Sequence, residues 1–203
     1  MVRVAVWIAL LMIAGLLSQN APKQYLYETE GVPKPYDDQE AYRVYEAVLP
    51  LDQIGQESKT LILRAEAEPY RPDCVHPNEQ SQKIVAGALA DYEKVNKQKW
   101  ILQRNFQIDK PYEVLTEKKI AAVRDDVAGP HGGWEGLDRH YPGAYGEIEL
   151  SAVGFNADRS IAMVYIGHHC GVLCGGGEFH ILQKEEGHWK SLKWGGQTCG
   201  WVS

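Results

Sequence analysis

Apolar residues fall along the chain in three kinds of spacing, and each predicts a different element. Residues 4–17 are continuously apolar. Two later stretches repeat at helical spacing. Ala41, Val44, Tyr45, Val48 and Leu49 follow an i, i+3, i+4, i+7, i+8 order, and Ile84, Val85, Ala88, Leu89, Tyr92 and Val95 line one side of residues 79–95. The first helix has Asp37 or Asp38 as its cap, Glu40 three residues after Asp37, and Pro50 as its stop. Residues 60–67 are rich in Leu and Ile and read as a strand, and 69–78 form a Pro-rich loop around Cys74. A short strand at 100–102 and a short helix at 116–127 come next, and glycines make 129–146 a loop.

The third spacing is alternation. Residues 147–155, 160–168, 178–184 and 189–194 have strand-like composition, with natural turns at 156–159 and 185–188. Pairing Phe155 with Ser160, His168 with Glu178 and Lys184 with Trp189 sorts the side chains. One face collects Ile148, Leu150, Ala152, Ile161, Met163, Tyr165, Phe179, Ile181, Leu192 and Trp194, which is a core. The other is mixed, with Glu147, Glu149, His168, His180 and Lys193 among apolar residues. The expected fold is α+β, with two amphipathic helices packed on one face of a C-terminal four-stranded antiparallel β-meander.

Charge narrows the partners. Lys and Arg total 21 against 27 Asp and Glu, a net charge of −6, so the chain has no excess cation with which to neutralise a nucleic-acid backbone. The apolar run at 4–17, preceded by Arg3 and followed by Ser18-Gln19-Asn20, is shorter than the roughly 20 residues of a spanning helix. It reads as an export signal. Residues 1–20 are then a signal peptide, 21–36 an extended lead-in and 37–203 a single domain in a secreted or periplasmic location, with no membrane span after signal removal; an uncleaved anchor is the alternative. In an oxidising compartment the cysteines read as disulfides, Cys170–Cys174 closing the glycine-rich turn and Cys74–Cys199 tying down the tail. A CxxxC redox or copper pair is the rival reading, but strand-like sequence follows Cys174 where a thioredoxin-type motif would open a helix.

Two groups of residues carry candidate chemistry. In the expected register Glu149, His168 and His180 are neighbours or diagonals on the mixed face and could act as general acid and base. Glu147, His168 and His180 could ligate a metal, or the whole set could be a solvated face of paired charges. No HExxH, GxSxG or paired CxxC motif is present, and Gly175-Gly176-Gly177 opens no helix, so no cofactor is implied. The second group is the loop carrying His131, Trp134, His140 and Tyr141. Its rings could stack on a sugar or a peptide side chain, or Trp134 could fold back over the core.

Tyr141-Pro142-Gly143-Ala144, Ser151-Ala152-Val153-Gly154-Phe155-Asn156, Cys170-Gly171-Val172-Leu173-Cys174-Gly175-Gly176-Gly177 and Gly187-His188-Trp189 together resemble a pattern in exported bacterial proteins of unknown function, over about residues 141–189. The resemblance implies an environment and no reaction. The order of helices before meander also resembles cystatin-like and nuclear-transport-factor-like sheets. These readings converge on an exported binding or interaction domain for a protein, peptide or glycan. The alternative is a small metal-dependent or acid–base enzyme built on the His/Glu group.

Overall fold

The computed structural model describes residues 26–125, 133–171, 173–196 and 200–203. The proposed signal, His131 and Cys199 lie outside the described residues. The fold is mixed α and β. Among the described residues, helices α1 (Gln39–Val48), α2 (Gln53–Glu57), α3 (Glu79–Val95), α4 (Glu117–Asp125) and α5 (Trp134–His140) accompany ten strands. Two of these, β1 (Glu30–Tyr36) and β3 (Gln98–Leu102), pair in parallel as a small separate sheet, so the second half of the expected lead-in is a strand. The others are β2 (Leu61–Arg64), β4 (Tyr112–Leu115), β5 (Glu147–Leu150), β6 (Gly154–Phe155), β7 (Ile161–Gly171), β8 (Cys174–Glu185), β9 (His188–Ser191) and β10 (Gly200–Val202). They form one sheet in the order β10-β8-β7-β5-β2-β4, with β6 beside β7 and β9 beside β8. The β2–β4 and β2–β5 pairs are parallel and the rest antiparallel. No described helix is long and apolar enough to cross a membrane.

The helices follow their capping chemistry. Asp38, not Asp37, caps α1 and accepts from the Glu40 and Ala41 amides at 3.0 and 3.3 Å. Glu40 does not close a capping box; it accepts from Trp189 Nε1 at 2.7 Å and pairs with Lys184 at 2.9 Å, which ties α1 to β8 and β9. Asn78 caps α3, whose bounds are those the apolar spacing predicts. Val85, Ala88 and Tyr92 are buried on that helix, but Ile84 faces solvent.

The sheet departs from the expected one-sided meander, and one irregularity explains how. From Leu150 to Gly154 the chain advances four residues while its partner retreats three, from Ile166 to Met163. The extra residue is a bulge at 151–153. Side chains satisfy the backbone groups it frees. Ser151 Oγ accepts from the Tyr165 amide at 2.9 Å, buried Asn96 bonds both the amide and the carbonyl of Ala152, and Tyr36 Oη accepts from the Val153 amide. The bulge reverses parity, placing Ile148 opposite His168. Ile148, Leu150 and Ala152 therefore join Ala162, Val164, Ile166, Leu182 and Trp189 in a core shared with α1. Ile161, Met163, Tyr165, Phe179 and Ile181 make a second core with α3, flanked by Leu192 and Trp194. Both sheet faces are buried, and the two long helices lie on opposite sides.

The β7–β8 hairpin keeps the expected parity but runs two residues further, pairing His168 with Gly176 and Ile166 with Glu178. Its tip is closed by the expected Cys170–Cys174 disulfide, with the Cα atoms 5.0 Å apart. The region 129–146 also differs from the expected loop, because α5 occupies its middle. Gly133, at φ +85°, starts α5, and Gly136 lets it approach the Val123 carbonyl of α4 more closely than any Cβ would permit.

Candidate functional site

The register separates the expected His/Glu group into two sites on opposite faces. On the α1 face, His168 meets Asp52. The chain after α1 turns through a 3-10 segment, Leu49–Leu51, into α2, and Asp52 caps that helix through the Gly55 amide at 3.0 Å. Lys110 Nζ donates to the carbonyls of Gly55, Gln56 and Ser58 at the other end. Fixed in this way, Asp52 Oδ2 accepts from His168 Nδ1 at 2.6 Å. In the neutral ring this contact fixes the tautomer with the proton on Nδ1, and Nε2 is then an acceptor. Among the described residues no protein group bonds to that nitrogen. The ring packs over Gly176, where a Cβ would come within 3.2 Å of it.

The dyad sits in an open groove of about 400 Å³. Ile166 and Gly176 floor it, Leu51 and Val202 flank it, and Glu178 stands at its edge. His180 Nε2 lies 3.2 Å from Glu178 Oε1, off the line of an ideal hydrogen bond. That approach holds the Glu178 carboxyl below the usual range. The groove therefore offers an oriented imidazole nitrogen, an acceptor in the neutral ring, and a carboxylate between apolar walls.

On the α3 face, Glu149 is the centre of a buried charged strip. Its Oε2 meets Arg64 Nη1 at 3.2 Å and His169 Nε2 at 3.4 Å, while the Tyr165 hydroxyl lies 3.4 Å from Oε1. Burial pushes Glu149 upward, but His169 and Arg64 win and hold it below the usual range. Burial lowers His169, and Glu149 and Glu147 more than reverse it, so its pKa is raised. Glu68 follows β2 and is pushed up to about 7 by burial and by the Glu149 charge. Glu147 is raised by burial against Arg64, His169 and Arg124. Two atoms of the strip, Glu147 Oε2 and Arg64 Nε, are buried without a partner among the described residues. The strip holds paired charges at high desolvation cost.

The expected trio Glu149, His168 and His180 is thus not assembled. The bulge sends Glu149 to His169 on one face and leaves His168 and His180 on the other. The proposed metal set fails for the same reason, with Glu147 separated from His168 and His180. Among the described residues no three His, Cys, Asp or Glu side chains are arranged to hold a metal. Trp134 is only 8% exposed, with the Arg124 guanidinium 4.1 Å from its ring centroid, so it covers the core and offers no free stacking face. His140 ends α5 exposed to solvent, whereas Tyr141, its C-cap, is half-buried against the apolar cluster under α4 and α5. No described cysteine is free.

Sequence reasoning missed Asp52, Arg64, Glu68 and Trp201. Asp52 carried one usable signal, a carboxylate three residues before Gly55 in cap position. The other three are brought in by sheet pairings that cross long stretches of chain. Comparisons with protein-family models, with curated proteins and with solved structures find no match.

Proposed function

We propose that the protein is an exported ligand-binding domain whose ligand sits in the groove between Leu51 and Val202, donating a hydrogen bond to Nε2 of His168. The observation that carries this reading is the 2.6 Å contact between Asp52 and His168, which presents an oriented acceptor to an open groove. Glu178 adds a second acceptor, so the ligand class is a small polar molecule bearing hydroxyl or ammonium donors. The Cys170–Cys174 disulfide supports an oxidising compartment. The test is a thermal-shift screen of small hydroxylated and cationic compounds against the wild type, His168→Ala and Asp52→Asn. Compounds that stabilise the wild type and lose their shift in both variants support the reading. Equal shifts in all three proteins refute it.

Acid–base chemistry is a second reading, favoured by the same carboxylate–imidazole contact, because an imidazole held through Nδ1 can take a proton at Nε2. General-base catalysis is typically worth about 10²–10⁴-fold, so turnover of an identified substrate should fall by that factor in both variants. Turnover unchanged in His168→Ala excludes it.

A further inference from the structure

A second cleft opens on the opposite face of the same sheet edge, and its chemistry differs from that of the groove. Tyr165 and Phe179 form its floor, from β7 and β8. Tyr70 lies flat against Tyr165, with ring centroids 4.4 Å apart and planes 6° from parallel. Trp201 of β10 forms the outer wall, and its Nε1 donates to Tyr165 Oη at 2.8 Å, which fixes the indole's orientation. The volume is about 370 Å³, within the range of small-ligand pockets.

The mouth is polar. Arg71, Asp73 and His76 stand there on the Pro-rich loop, and Arg71 Nη2 is 2.8 Å from Asp73 Oδ2. These two charges cancel locally. A ligand with net charge therefore finds no uncompensated partner. A wholly apolar ligand would take water from three hydrogen-bonding side chains and return nothing. The complementary ligand has an apolar face for the rings and neutral hydroxyls around its edge.

We propose that this cleft binds a neutral pyranose ring of a glycan, its C–H face on Trp201 and its hydroxyls on Asp73, Arg71 and His76. The site stands apart from the groove, since the two share only Gly177, Gly200 and Trp201 at the edge and open on opposite faces. The test is saturation-transfer-difference NMR on the intact protein with maltose, cellobiose and N,N′-diacetylchitobiose. Concentrations up to about 10 mM cover the weak affinity expected of one stacked ring. At least one disaccharide should bind, with the strongest transfer to ring C–H protons. Binding should weaken at least fivefold in Asp73→Ala, whose exposed site leaves folding intact, and in Trp201→Leu, while His168→Ala binds as the wild type does. The proposal is overturned if none of the three sugars gives a signal, or if Asp73→Ala, with an unchanged melting temperature, binds as tightly as the wild type.

Discussion

Glycines 175–177 illustrate how single residues position both sites. All three lie within β8, where their missing side chains leave space for larger neighbours. A Cβ on Gly177 would overlap the Tyr165 hydroxyl, which is buried between Glu149 and Trp201. One on Gly176 would press on the His168 ring. Gly177→Ala should therefore destabilise the protein by about 1–3 kcal/mol, the usual cost of overpacking, and displace Trp201. Denaturant unfolding with near-ultraviolet circular dichroism measures both effects, and an unperturbed variant would contradict the packing. The sequence marks this glycine run plainly but suggests a loop, because glycine is permissive in turns and its use as a space-maker depends on neighbours distant in the chain.

At the scale of elements, legibility followed locality. The bounds of α3, the cap of α1, the Lys184–Trp189 pairing and the Cys170–Cys174 closure all rest on residues near one another in sequence. The bulge does not. A strand that bulges has the same composition as one that does not, and what stabilises this one arrives from α3 and β1. Asn96, 1% exposed, satisfies both backbone groups of Ala152. Asn96→Ala leaves the Ala152 amide buried and unpaired while the carbonyl keeps only the Ser151 hydroxyl, so it should cost about 1–3 kcal/mol, above a typical surface substitution. Chemical denaturation tests this; a loss under about 0.5 kcal/mol would show that the bulge does not need its clamp.

For the molecule as a whole, the buried charged strip governs the response to pH. Glu68 titrates at about 7 in the fold against an ordinary 4.5, so between those values the folded state keeps a proton that the unfolded chain releases, and stability falls as pH rises. The displacement corresponds to about 3 kcal/mol, and Glu68→Gln should flatten this limb. Glu149 acts in the opposite sense. Held below its ordinary range, it contributes stability that is lost as pH falls through its lowered value. His169, raised above 6.5, contributes below that value and loses its contribution as pH rises through the raised one. The gap between thermal melts of wild type and Glu68→Gln should open between about pH 4.5 and 7 and stay open above that. Parallel curves would contradict this assignment.

The separation of the two histidines by sheet face underlies the whole account, and imidazole NMR tests it most directly. Histidine ring ¹H–¹⁵N spectra should be recorded across a pH titration for wild type, Asp52→Asn and Glu149→Gln. Asp52→Asn should shift the His168 signals and leave His169 in place, and Glu149→Gln should lower the titration of His169 and leave His168 in place. His168 ring signals that shift with Glu149→Gln as far as they do with Asp52→Asn would put both groups on one face and contradict the structure's register.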